Sequence, residues 1–244
     1  MSTGLFSVIT EKGSSRSCAV PSENDLLPEA LQGPVLPPVS RDMLHEQIYD
    51  RLKRNLMMGR FTPGQKLPLR TLAKSLGTSL MPVRDALQRL ESTGCVVSTA
   101  NRTMAVPHFS PKQLQDICTL RMVLETTTVE RAAMLRTDGE LAALAVFVRD
   151  IDHSAETNSI DLFLEANYHF HMLIADMSRL SFVRILLEPL WMHIGPSIRQ
   201  SVPNEALFQS AARRHKEVYD AIVAQDPKSA AIAIQRDILD GYNF

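Results

Sequence analysis

From about residue 41 onward, apolar residues recur with the period of a helix and almost nowhere with the period of a strand. Ile48, Leu52, Leu56 and Met57 mark one face of a helix over about 41–59, which the pair Pro63 and Gly64 then turns away. Two shorter periodic segments follow, Leu69 to Leu76 and Pro82 to Leu90, separated by Gly77, Thr78 and Ser79. Gly77 can take the left-handed conformation that ends the first segment, and Ser79 offers a hydroxyl to the free N–H groups of the second. Pro82 is tolerated there because the first helical turn needs no donor. Val83, Ala86, Leu87 and Leu90 fall at i, i+3, i+4 and i+7, so they face a core while Arg84, Asp85 and Arg89 point elsewhere. After Gly94 come two short extended pieces, Cys95 to Ser98 and Met104 to Pro107. The pattern predicts a winged helix-turn-helix; a plain helical hairpin with a solvated charged face is the alternative.

The remainder of the chain is helical pattern with short breaks. Ser110 and Pro111 form a hydroxyl cap followed by proline at the first helical position, opening a helix that runs to about Leu135. Leu114, Ile117, Leu120, Leu124 and Val129 mark its expected apolar side. Further helices are expected over about 138–153, 157–178, 180–200, 204–225 and 227–240. Residues 1–40, with Pro21, Pro28, Pro34, Pro37 and Pro38 and no sustained period, read as a mobile tail. The expected fold class is therefore mainly α, an N-terminal winged helix-turn-helix followed by an all-α antiparallel helical bundle. The expected domains are a mobile tail (1–40), a winged helix-turn-helix domain (41–108) and a helical-bundle domain (109–244); to the last two the family resemblance given below assigns DNA binding and effector binding with dimerisation, respectively.

Charge changes the picture once it is divided along the chain. The net charge is −1, yet residues 41–107 carry 11 Lys+Arg against 5 Asp+Glu, whereas residues 108–244 carry 13 against 18. Only the first folded segment is built to meet phosphates. Cys18, Cys95 and Cys118 are odd in number and lack metal-site spacing, which fits a reduced cytoplasmic compartment. No apolar run approaches the roughly 20 residues of a membrane span, and the N-terminus lacks a signal-peptide pattern. The expected location is the cytoplasm, with no membrane partner, and the family resemblance given next implies a bacterial nucleoid.

Over about sixty residues the first folded segment resembles the GntR family of bacterial transcription regulators. The resemblance is carried by Ile48, Pro63, Gly64, Leu67, Leu72, Ala73, Leu76, Gly77, Ser79, Pro82, Val83, Arg84, Ala86, Leu87, Leu90, Glu91, Gly94 and Val106. It implies a homodimer on a short palindromic operator in double-stranded DNA, with the recognition helix in the major groove and the wing near the minor groove. Carried over residue by residue, it assigns Arg70 and Arg84 to DNA, with Ser79 as cap or phosphate ligand; Pro82, Arg89 and Arg102 complete the expected contacts. Three positions depart from the family pattern: Leu80 stands where many relatives have arginine, Leu69 where an acidic residue is common, and Thr103 where the wing tip usually has glycine. Losing one arginine implies an altered operator sequence or weaker binding, since a bidentate base contact contributes roughly 1–3 kcal/mol.

The second half resembles the FCD effector-binding domain of the FadR-like branch of that family, through Arg121 to Glu125, Phe170 and His171, Leu190 and Trp191 to Gly195 and Pro196, and His215 with Ala221, Ile222 and Asp226. Many such domains hold a divalent metal with an Asp and three His. The matching positions here are Asn167, His171, His215 and Asp237, two of them substituted. Asn167 and His171 are four apart and share a helix face. The set suits Zn, Ni, Mn or Fe(II), with the Asn carbonyl as a weak ligand; the competing reading makes the histidines hydrogen-bonded core residues. His169 is expected to face away from His171, and His193 is a weaker candidate.

The resemblance also implies a small organic acid as effector. Arg121, His171 and His215 are its expected contacts, with a structural salt bridge from Arg121 to Glu125 as the competing role for the arginine; Arg199 is a second, weaker candidate for the acid, with a surface position as its competing reading. The function expected is a DNA-binding regulator, a repressor, modulated by that acid. A metal-dependent bundle enzyme with secondary DNA binding is the alternative. Against it, there is no Glu-x-x-His pair, no Gly-rich phosphate loop and no His-Glu-x-x-His helix.

Overall fold

A computed structural model describes residues 42–201 and 205–241. The tail expected over residues 1–40, with Cys18, lies outside the described residues, as does position 204, where the eighth helix was expected to open. The winged half runs α1 (Asp42–Met57), β1 (Lys66–Leu67), α2 (Leu69–Leu76), α3 (Leu80–Ser92), β2 (Val97–Ser98) and β3 (Met104–Ala105). The strands form one antiparallel sheet in the order β1-β3-β2, with Leu67 opposite Met104 and Val97 opposite Ala105. β1 has only two residues, too short to carry a period, and was not expected from the sequence.

Gly77 sits at φ 65°, ψ 33°, and its N–H reaches back to the Lys74 carbonyl, so α2 ends where the glycine permits a left-handed step. The Val83, Ala86, Leu87 and Leu90 stripe is buried against Leu52 and Leu56 of α1. Burial of each such side chain contributes about 1.5–3 kcal/mol, enough to fix the angle at which α3 leaves the turn. Ser79 stands at the N-cap position of α3 but makes no capping bond with its side chain.

The second half is all helix: α4 (Pro111–Leu135), α5 (Asp138–Thr157), α6 (Ile160–Met177), α7 (Val183–Ser201), α8 (Glu205–Val223) and α9 (Pro227–Asp240). Two reciprocal capping boxes open α4 (Ser110 with Gln113) and α5 (Thr137 with Glu140), and the Asp226 carboxylate caps α9. α4 lies against α6, α7, α8 and α9, which makes it the central wall of the bundle. Of the residues expected on its apolar side, Val129 is buried and Leu114, Ile117 and Leu124 pack half-buried against the core, while Leu120 is 53 % exposed. Cys118, Arg121, Glu125 and Thr128 also turn inward. A helix whose inner face carries charge hides its true orientation from a hydrophobicity pattern.

α7 also meets α1 of the winged half, and the seam is tight. A Cβ on Gly59 would lie 2.5 Å from the Gly195 carbonyl oxygen, and one on Gly195 would meet the Leu56 and Met57 carbonyls. Around this backbone contact Lys53 pairs with Glu188 at 2.6 Å and Arg60 with Glu165 at 2.9 Å. Arg199, expected at the surface, donates to the Gly59 carbonyl and pairs with Asp161. Among the described residues no helix is long and apolar enough to cross a membrane.

Candidate functional site

Two sites emerge, one open and one buried. The open one lies between α3 and the wing, a concavity of about 980 Å³. Arg70 at the start of α2, Arg84 on α3 and Arg102 at the wing tip all line it, together with Leu80, Gln88 and Ser98. No residue lining it is acidic, because the acids nearby are held elsewhere. Asp85 faces His45 at 3.4 Å, and Glu46 takes the Arg89 guanidinium at 2.8 Å.

Arg70, Arg84, Arg102 and Ser79 are exposed, as a DNA-facing set requires. Two expected contacts need correcting. Pro82 is buried, so its place in the first turn of α3 is a packing role. Arg89 is tied to Glu46 and lies 3.7 Å from the Tyr49 ring centroid, so its cation braces α3 on α1. Gln88, one turn beyond Arg84 on the same face, was missed: an uncharged residue in a polar stretch carries no signal until its neighbours are placed. Arg102, not Thr103, holds the left-handed position of the wing turn, at φ 56°, with its N–H donating to the Thr99 carbonyl at 2.8 Å.

The buried site is in the bundle, where α6, α8 and α9 bring together all four expected metal positions and α4 adds Glu125. His171 Nδ1 donates to Glu125 Oε2 at 2.6 Å, and its Nε2 lies 3.2 Å from Asp237 Oδ2. His215 Nδ1 faces two acceptors, the Ala211 carbonyl at 2.8 Å and Asp237 Oδ1 at 3.1 Å, so it carries the hydrogen. Its Nε2 lies 2.9 Å from the side-chain amide of Asn167. The ligating atoms of His171, His215 and Asp237 all lie within 4.8 Å of one another. Each imidazole thus has Nδ1 anchored by an outer acceptor and presents Nε2 inward, the arrangement that orients histidines toward a metal.

Glu125 is the residue whose importance was underestimated. It joins His171 to Arg121, whose Nε donates to Oε1 at 2.6 Å, and Arg121 lies 4.2 Å over the Trp191 ring. The salt bridge weighed against a ligand role for Arg121 is therefore formed. Burial works against the charge of Glu125, yet the Arg121 guanidinium and the His171 imidazole hold its carboxyl down at about 2. Burial likewise opposes a charged His171, but Glu125 and Asp237 outweigh it and move that imidazole up. For His215 burial wins and moves it down. Trp191 Nε1, beside these groups, is buried with no hydrogen-bond partner.

His169 points away from this cluster, as expected, and stacks on Phe147 with ring centroids 5.5 Å apart. His193 donates from Nδ1 to the Pro189 carbonyl at 2.5 Å and packs against Phe109, at the seam between the halves.

An acid-free, arginine-lined groove on the winged half thus stands apart from a buried polar cluster in the helical bundle. Residues 44–106 match the family described as bacterial regulatory proteins, gntR family, and residues 116–240 match the FCD domain. The chain is 29 % identical over 178 residues to the HTH-type transcriptional regulator McbR of Escherichia coli (strain K12), covering 73 % of this chain and 80 % of that one. It is 22 % identical over 183 residues to the HTH-type transcriptional repressor RspR of the same organism, covering 75 % and 80 %. The solved structure of E. coli McbR/YncC superposes with a TM-score of 0.76 at 26 % identity, over 83 % of this chain and 95 % of that one. The chain belongs to the GntR family of transcriptional regulators, with an FCD effector domain; it is a DNA-binding regulator and not an enzyme.

Proposed function

We propose that this regulator is a homodimeric repressor that grips a short palindromic operator and is modulated by a small organic acid bound in the bundle. Residues 41–108 serve DNA and residues 109–244 serve effector and dimer contacts. The observation that carries the reading is the convergence of Arg70, Arg84 and Arg102 on one groove with no acid in its walls. Ser79, whose hydroxyl is not engaged as a cap, adds a phosphate donor. Repression is supported by the name of RspR, a repressor.

In the bundle, Asn167, His171, His215 and Asp237 fit a divalent transition metal (Zn, Ni, Mn or Fe) by donor type and by their inward Nε2 atoms. Such an ion, when bound, would supply Lewis-acid attraction for the oxygens of a chelating acid. Arg121, His171 and His215 contact the acid, a carboxylate competing with Glu125 for the guanidinium, and Trp191 Nε1 supplies a further donor. The acid regulates only if it binds two arrangements of the chain unequally; swinging occupancy from 1:99 to 99:1 takes about 5.5 kcal/mol of differential affinity.

Two experiments test this. Arg84→Ala is expected to abolish tight operator binding while leaving the bundle's metal content unchanged; wild-type affinity in that variant sinks the DNA assignment. Metal content after exhaustive dialysis is expected near one equivalent in wild type and near zero in His215→Ala. If both are empty and folded, the effector is held by hydrogen bonds and Arg121 alone.

A further inference from the structure

We infer that Leu80, Arg84 and Gln88 form the base-reading stripe of α3, and that the stripe selects a half-site presenting a thymine methyl, a guanine and an adenine in that order along the groove. The inference rests on the DNA-binding reading above and adds which bases are read. Of the side chains of α3, the groove is lined by Leu80, Arg84, Leu87 and Gln88, and Leu87 is buried in the core. Asp85 and Arg89 are turned to α1 by His45 and Glu46. Three groove-facing side chains remain, spaced four apart on one helical face.

The spacing suits a duplex. At 1.5 Å per residue the three stand about 6 Å apart along the helix axis, close to two base-pair steps of 3.4 Å. Their chemistries differ in kind. Arginine meets the O6 and N7 of guanine with two donors, and glutamine meets the N6 and N7 of adenine with one donor and one acceptor. Leu80 has no polar atom, yet it is 38 % exposed at the first position of the helix, facing the groove and not the core. The apolar feature a major groove offers it is the 5-methyl group of thymine. Replacement of the family's arginine by Leu80 thereby exchanges a base class and does not simply remove a contact.

The test is selection of binding sites from a randomised duplex library by the full chain, followed by titration of the selected sites. Wild type is expected to enrich half-sites with thymine, guanine and adenine at successive read positions. Leu80→Arg is expected to move the preference from thymine to guanine at one position, and Gln88→Ala to lose only the adenine preference, each by about 5- to 150-fold. Replacing the selected thymine by deoxyuridine removes one methyl and is expected to weaken wild type about fourfold while leaving Leu80→Ala unmoved. Both side chains are exposed, and matched unfolding curves identify any variant that has lost its fold. Unchanged preferences in folded Leu80→Arg and Gln88→Ala overturn the stripe while the DNA-binding reading stands. A wild type that enriches no sequence overturns both.

Discussion

The two charge clusters of this chain are built on opposite rules. In the groove of the winged half, Arg70, Arg84 and Arg102 line one wall system with no carboxylate among the lining residues. In the bundle, Arg121, Glu125, His171 and Asp237 form a chain in which each charge touches its opposite. An exposed cation in water loses little by waiting for a phosphate, whereas a buried one must be paired before the protein can fold. The groove is therefore ready to bind as it stands, while any acid or ion entering the bundle must displace an existing partner.

Breaking a link in the buried chain should have the largest effect. Glu125→Ala leaves Arg121 and His171 without their shared carboxylate and is expected to lower unfolding stability by about 3–5 kcal/mol, read by urea titration. A loss below about 1 kcal/mol would mean that the cluster is solvated and that the contrast with the groove is false. Gly195→Ala comes next: its new methyl meets backbone carbonyls of α1, and about 1–3 kcal/mol of stability is expected to go.

Arg102→Gly separates the two roles of a wing residue. Relieving a left-handed arginine is expected to raise stability by about 1 kcal/mol while weakening DNA binding, with the slope of log affinity against log salt falling by about 1. If stability and affinity move together, the groove arginine is structural. The smallest effect is expected from Arg89→Ala, at most about 1 kcal/mol of stability with no change in base preference, since its partner lies on α1 and both side chains are largely solvent-exposed. A changed base preference would return Arg89 to the reading face.

Much of this architecture could be read before any coordinates. α2 has the bounds expected from its pattern, and α4 and α9 begin and end where their caps and apolar runs predict, because these signals are local. What escaped was set by distant partners. Arg89 looked exposed because Glu46 lies 43 residues earlier, and Leu120 looked buried because the polar face of α4 is covered by α6 and α9. The four candidate metal positions were found through family resemblance. Helix spacing alone joined only Asn167 and His171; the meeting of His215 with Asp237 required the antiparallel packing of α8 on α9. Gln88 gave no warning at all.

The paired glycines at the seam bear on how such a regulator can evolve. Most interfaces tolerate drift because a side chain on one face can shrink while its neighbour grows. Where Gly59 meets Gly195, main chain lies on main chain and no such exchange is available. The spacing between reader and sensor at this point works as a gauge block without an adjusting screw. A methyl added on either side of this joint meets backbone that cannot shrink to receive it.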